Sequence, residues 1–234
     1  MKLLAIESST NRLSVAWQGS EMDEVHEVAD TPATHARVLN GLVAQAMERA
    51  GDRPDAIVAG IGPGSFTALR IGLACAKGLA VGWEIPVYAV PSLRAVPWLL
   101  PQGSPRIGLL FDARKSQVYG GVFEPGASGK VYLELLSVTP DEAIRQISAL
   151  PAAHEIRFGG DAFARFPQLE VLRTSQVEPD ELALPRATAL LRYVRMNPHL
   201  VPVSAAALEP LYFRPSDAEL NGPRVSSVLS GMSS

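Results

Sequence analysis

LLAIESSTNRLSVAW, residues 3–17, carries the reading that decides the fold. Leu3 to Ile6 is an apolar run that ends in an acid, Glu7. Ser8 to Asn11 is rich in turn formers. Leu13, Val15 and Trp17 then alternate with smaller or polar residues, the period of a half-buried strand. The segment therefore reads as a β-hairpin with a carboxylate at the end of its first strand. IGLLFDARKSQVYGGVF, residues 107–123, reads the same way. Ile107 to Phe111 is apolar, Asp112 is the acid, Ala113 to Ser116 is the turn, and Gln117 to Phe123 returns. Glu7 and Asp112 thus hold equivalent places in two copies of one pattern.

The flanking segments repeat as well. After the first hairpin come a strand near Asp23–Ala29 and a helix over His35–Ala50. Val38, Leu39, Leu42, Val43, Ala46 and Met47 recur there at three and four. Thr34 suits its N-cap and Gly51 its stop. A strand over Asp55–Gly62, a turn, a helix over Phe66–Val81 and a strand over Pro86–Val90 follow. After the second hairpin come a strand near Lys130–Val138, a helix from Pro140 to about Leu150 capped by Thr139, and Ile156–Phe158 leading into Gly159-Gly160-Asp161. A repeat of this length predicts an α/β protein of two stacked lobes, each a mixed sheet with flanking helices, and a cleft between them. The expected division is 1–100 for the first lobe, 101–215 for a degenerate second lobe, and 216–234 for a flexible polar tail.

Composition narrows the chemistry. The chain has 234 residues, 47% of them apolar and 19% charged, with a formal charge of −3. A core of this size needs no staple. One cysteine excludes an intrachain disulfide. The acidic balance argues against a chain that grips nucleic acid unaided, because phosphates demand clustered Lys and Arg. MKLLAIESST reaches Glu7 too soon for a secretory signal, and Ile71–Trp83 is too short to span a membrane and contains Lys77. A cytoplasmic location is expected. The four histidines, at 26, 35, 154 and 199, show no four-residue helical pairing, so no locally encoded metal site is expected.

Gly60-Ile61-Gly62-Pro63-Gly64-Ser65-Phe66-Thr67 is the densest motif. It lacks the glycine that a dinucleotide fingerprint needs at Ser65, and the Gly-Lys-Ser/Thr of a P-loop. Gly62, Gly64 and Ser65 could cradle an anion at a helix N-terminus. The plainer reading is a tight turn, with Gly64 in an unusual backbone conformation and Ser65 as helix cap. In the helix that follows, Ala68, Gly72, Ala76 and Ala80 recur every four residues. Such a ridge admits another helix closely, or packs on the chain's own sheet. Glu7 and Asp112 could hold Mg²⁺ or orient a water, or each could close its own hairpin. Ser8, Ser9 and Thr10 have no evident histidine partner for nucleophilic catalysis.

Several of these segments resemble the bacterial TsaB (YeaZ) family, the dimerisation subunit of the tRNA threonylcarbamoyladenosine machinery. They are LLAIESST, His35 at the head of its helix, IGPGSFTALRIGLACAKGLA (61–80), FDARKSQVYGGVF (111–123) and LEPLYFRPSDAE (208–219). The resemblance implies the actin-like ATPase/sugar-kinase (ASKHA) fold, with two duplicated RNase H-like lobes. It also implies kinship with the catalytic TsaD subunit, whose first helix carries a His-x-x-x-His metal motif. Here His35 is followed four residues later by Leu39, so half of that motif is absent. The family's usual Asp-Thr-Ser start is Glu7-Ser8-Ser9, which weakens nucleotide binding in this chain's own cleft.

The resemblance implies a non-catalytic scaffold subunit. It has no cofactor of its own, and ATP and a metal reside in partner subunits. The expected partners are a TsaD-type catalytic subunit, a TsaE-type ATPase and a second copy of the chain, with tRNA met only through the complex. The two N-lobe helices would form the interface, through Val38, Leu42 and Met47 on the first and Ala68, Gly72, Ala76 and Ala80 on the second. Gly72→Leu would then break dimers and leave the monomer folded. Glu7, Gly62, Gly64, Ser65 and Asp112 would mark a vestigial nucleotide cleft. The alternative is a kinase or ATPase of the same fold that uses this cleft; a protease lacks a complete set of catalytic residues.

Overall fold

A computed structural model describes residues 1–19, 24–29, 35–126, 129–173 and 184–212. The first sheet contains β1 (Leu3–Glu7), β2 (Leu13–Gln18), β3 (Glu24–Ala29), β4 (Ala56–Gly60) and β5 (Val87–Val90), in the order β3-β2-β1-β4-β5. β1 and β2 are antiparallel, as are β2 and β3, whereas β4 lies parallel to both β1 and β5. The second sheet contains β6 (Ile107–Arg114), β7 (Gln117–Phe123), β8 (Val131–Val138) and β9 (Arg157–Gly159), ordered β8-β7-β6-β9. Its two hairpin pairings are again antiparallel, and β9 is parallel to β6. The second sheet is the first with its last strand missing. This duplication is the pair of mixed-sheet lobes expected from the two hairpins.

Alternation along the strands assigns the two faces of the first sheet. Leu4, Ile6, Leu13, Val15, Trp17 and Ile57 point to one side, where α1 (His35–Ala50) and α2 (Phe66–Trp83) cover them. Leu3, Ala5, Ala16, Ala56 and Val58 point to the other. That second face is smaller because α6 (Ala187–Met196) lies close upon it, packing Ala187, Leu190, Leu191 and Val194. On the second sheet, α4 (Pro140–Ser148) and α5 (Ala162–Arg165) share a core with Leu110, Val118 and Phe158. The opposite face, Ile107, Leu109, Phe111 and Tyr119, meets α3 (Ser92–Ala95) and the 3-10 turn Val96–Leu99. Trp98 of that turn touches Tyr193 of α6 edge-on, with ring centroids 5.6 Å apart.

These packings correct the expected division at 101–215. The second lobe is β6 to Leu172, and residues 187–212 return to the first. Val203 pairs with Val87 at the edge of β5, and Leu208 is buried in the first lobe's core. A sheet buried on both faces needs a covering layer on each, and α1 and α2 supply only one. No element read from the sequence corresponds to α6. Thr139 caps α4 by accepting the Glu142 N–H, and Gly51, at φ +64°, ends α1 with its N–H on the Met47 carbonyl. Thr34 and the tail 216–234 lie outside the described residues. No helix among those described is long and apolar enough to cross a membrane.

Candidate functional site

The turn after β1 is sealed by glycines. Glu7, Ser8 and Ser9 are all buried. A side chain at Gly60 would collide with Glu7 Oε2, one at Gly72 with Ser8 Oγ, and one at Gly64 with the Ser9 carbonyl. Three successive turn residues therefore each rest on a glycine of the β4–α2 unit. Hydrogen bonds fasten the same contact. Ser9 N–H donates to Glu7 Oε1 at 2.6 Å, Ser8 Oγ to the Ala68 carbonyl at 3.0 Å, and Ser65 N–H to the Ser9 carbonyl at 2.6 Å. Gly62 and Ser92 exchange two bonds: Gly62 N–H to Ser92 Oγ, and Ser92 N–H to the Gly62 carbonyl.

The motif is thus a packed turn, with two corrections of detail. Gly62, at φ +96°, takes the conformation expected of Gly64; Gly64 is required by the close approach of Ser9. Ser65 stands at the N-cap but its side chain makes no capping bond. A nucleotide phosphate does not fit here. The Ser65 N–H it would need already serves Ser9, and the space over Gly60, Gly64 and Gly72 is filled.

The two acids differ. Burial pushes the Glu7 carboxyl above its ordinary range, opposed by the polar groups of Ser9, Ser92 and Ser8 around it. Glu7 Oε2 and Ser9 Oγ are buried without a hydrogen-bond partner. Asp112 is only half-buried and closes its own hairpin. Its Oδ1 accepts the Arg114 N–H at 2.8 Å, and its Oδ2 lies 3.4 Å from Arg114 Nη1. Asp112 N–H donates in turn to Asp161 Oδ1 at 2.9 Å, an acid that sequence reading placed only in a glycine turn. Burial raises the Asp161 carboxyl, the Asp112 N–H opposing it. Tyr119 joins the lobes electrostatically. Its phenol is driven well above its ordinary value by burial first, then by Asp161, Glu7 and Asp112. Among the described residues, no group of three or more His, Cys, Asp or Glu is placed to hold a metal ion. Leu39, four residues beyond His35, is a core side chain.

On α2 the ridge expected at the interface faces inward. Ala68, Gly72, Ala76 and Ala80 are all buried, and Gly72 lies against Ser8 of the chain's own turn. Leu42 is likewise in the core, and Val38 and Met47 pack against it half-buried. The sheet takes the ridge because β1 and its turn approach α2 closely. Gly72→Leu therefore strikes the monomer, contrary to the expectation of a folded monomer. The outward side of the same helix carries a second ridge, Arg70, Ala74, Gly78 and Gly82, all exposed. A Cβ at Gly78 or Gly82, or at the exposed Gly41 of α1, would have nothing within 4 Å. α1 and α2 lie side by side, with Cys75 Sγ 3.7 Å from Asn40 Oδ1. Their exposed positions include Gly41 and Ala44 beside Asn40 and Gln45 on α1, and Ala74, Gly78 and the 67% exposed Val81 on α2.

A family model described as TsaD, tRNA N6-adenosine threonylcarbamoyltransferase, matches residues 29–134. Among curated proteins, the tRNA threonylcarbamoyladenosine biosynthesis protein TsaB of Haemophilus influenzae is 28% identical over 237 residues, covering 92% of this chain and 94% of that protein. TsaB of Escherichia coli K12 is 32% identical over 136 residues, 55% of this chain and 58% of the relative. A solved structure, YeaZ from Pseudomonas aeruginosa, superposes with a TM-score of 0.73 at 29% identity, covering 90% of this chain and 99% of that one. A second, an uncharacterized protein from the same organism with similarity to peptidase YEAZ, gives 0.75 at 28% identity, covering 91% and 99%. Over nine-tenths of its length the chain is thus similar to proteins named TsaB or YeaZ.

The stretch that the TsaD model matches includes α1, α2 and the β6–β7 hairpin. Two features of the site were not legible in the sequence. Asp161 was readable only as part of a loose repeat. The outward glycines carry the same four-residue period as the inward ridge, and period alone does not say which side meets the sheet.

Proposed function

We propose that this chain is a non-catalytic subunit of the apparatus that makes threonylcarbamoyladenosine in tRNA. It pairs a TsaD-type catalytic chain with the outward face of α1 and α2. The observation that carries the reading is the set of exposed helix glycines. Gly41 and Gly78 each cost a helix interior about 1 kcal/mol relative to alanine, and Gly82 stands one residue before the end of α2. Nothing in the chain lies where their side chains would be, so the fold itself does not ask for glycine there. A helix from outside that must come close does ask for it. Because the TsaD model aligns across both helices, a TsaD-type chain presents a like pair, and like can pack on like about a pseudo-two-fold axis. A second copy of the chain would use the same face.

The sealed β1 turn supports the non-catalytic half of the reading. Chemistry, ATP and metal belong to the TsaD-type and TsaE-type partners, tRNA is met only through the assembly, and the setting is the cytoplasm. Reconstitution tests it. Threonylcarbamoyl transfer to tRNA should require this chain together with the TsaD-type and TsaE-type subunits. Transfer by this chain alone would contradict the reading. Mg-ATP bound by the isolated chain and lost in Asp112→Ala would favour a kinase instead.

A further inference from the structure

The N-terminal end of the outward ridge holds a built cluster. Residues 208–212 return to the start of α2, where Leu208 is buried in the core and Leu211 N–H donates to the Ile61 carbonyl at 2.7 Å. Those two contacts anchor the returning segment. Beyond them, Tyr212 stacks on Phe66 with ring centroids 4.9 Å apart and planes 27° apart. Arg70 places its guanidinium carbon 3.8 Å from the centre of the Phe66 ring, and its Nε donates to the Tyr212 hydroxyl at 3.2 Å. Tyr212 nevertheless stays 42% exposed, and so does Leu211. Arg70 is also the first member of the Arg70, Ala74, Gly78, Gly82 ridge.

We infer that Arg70 and Tyr212 form the anchoring contact of the docking face for the TsaD-type partner, extending that face from the glycine ridge onto the returning C-terminal segment. The inference rests on the reading proposed above. Binding energy concentrates in a few Tyr, Trp and Arg side chains, and most where they are held before the partner arrives. The stack, the hydrogen bond and the cation–π contact hold both side chains in place while leaving them accessible. A partner helix laid along Gly82, Gly78 and Ala74 runs on to Arg70, so the cluster is continuous with the ridge. The bond to Tyr212 uses Arg70 Nε; its terminal nitrogens are the pair that matches a carboxylate, so the partner side chain expected there is Asp or Glu.

Calorimetric titration of the full chain with the TsaD-type subunit tests this. Arg70→Ala and Tyr212→Ala should each weaken the dissociation constant about thirty-fold, the range of interface anchors. Tyr212→Phe, which keeps the stack, should fall between them and the unaltered chain. Arg70→Ala should also flatten the salt dependence of binding. Should Tyr212→Ala lower the melting temperature of the chain, Arg70→Ala decides, since it leaves Tyr212 on Phe66. Unaltered affinity in Arg70→Ala, with binding lost in Gly78→Leu, would overturn the inference and leave the helix face standing as the interface. Unaltered affinity in both would overturn the inference and the helix-face reading together.

Discussion

The two lobes begin with the same hairpin and finish it differently. In the first, the acid at the strand end, Glu7, is wholly buried, and the turn behind it rests on three glycines. In the second, the equivalent Asp112 is not fully buried and binds its own turn, where Arg114, Lys115 and Ser116 all adopt left-handed backbone at φ +64°, +48° and +59°. Among the described residues the first lobe has five strands and recruits α6 from much later in the chain, and the second has four. One pattern has become a closed structural joint in one copy and an open hairpin in the other. Sealing the first turn uses the inner face of α2 and leaves its outer face exposed.

Gly72→Leu should break this contrast most severely. The side chain would be driven into Ser8 and β1, and overpacking of this kind costs about 3 kcal/mol or more. Urea unfolding should show a large loss of stability even in the monomer. Next in size is Leu191→Ala, a truncation in the core that costs about 2–5 kcal/mol. Although Leu191 follows the second lobe in sequence, hydrogen exchange should show the loss in β1 and β4 rather than in β6.

Glu7→Gln should be smaller and opposite in sign. Burial raises the folded carboxyl above its unfolded value, so the folded state holds its proton more tightly. Glu7 therefore costs stability progressively as pH rises from the ordinary glutamate range through its folded value. The amide should stabilise the chain at neutral pH. That gain should vanish below the ordinary glutamate pKa, and unfolding at pH 4 and pH 7.5 measures the difference. Asp112→Asn, in the open hairpin, should change stability less than Glu7→Gln does. Smallest is Thr139→Ala, which removes the α4 cap and should cost about 1 kcal/mol or less, read as a shift of the urea midpoint.

Much of this was legible in the sequence because it is local. Alternation over residues 3–17 and 107–123 gave both hairpins, and three-four periodicity gave α1 and α2 nearly to the residue. The covering by α6 was not legible, since nothing within Ala187–Met196 specifies a sheet formed by residues far earlier in the chain. The burial of the ridge expected at the interface was not legible for a related reason. Ala68, Gly72, Ala76 and Ala80 and Arg70, Ala74, Gly78 and Gly82 are two four-residue ridges on one helix, both dominated by small residues. Only the approach of Ser8 to Gly72 shows which of them the chain keeps for itself.

The claim that the outer ridge meets the partner is tested most directly by Gly78→Leu. The substitution adds a side chain where the chain has open space, so the monomer should melt no lower than the unaltered protein. In sedimentation velocity with the TsaD-type subunit, that folded variant should run as two separate species. A complex of unchanged affinity would contradict the account.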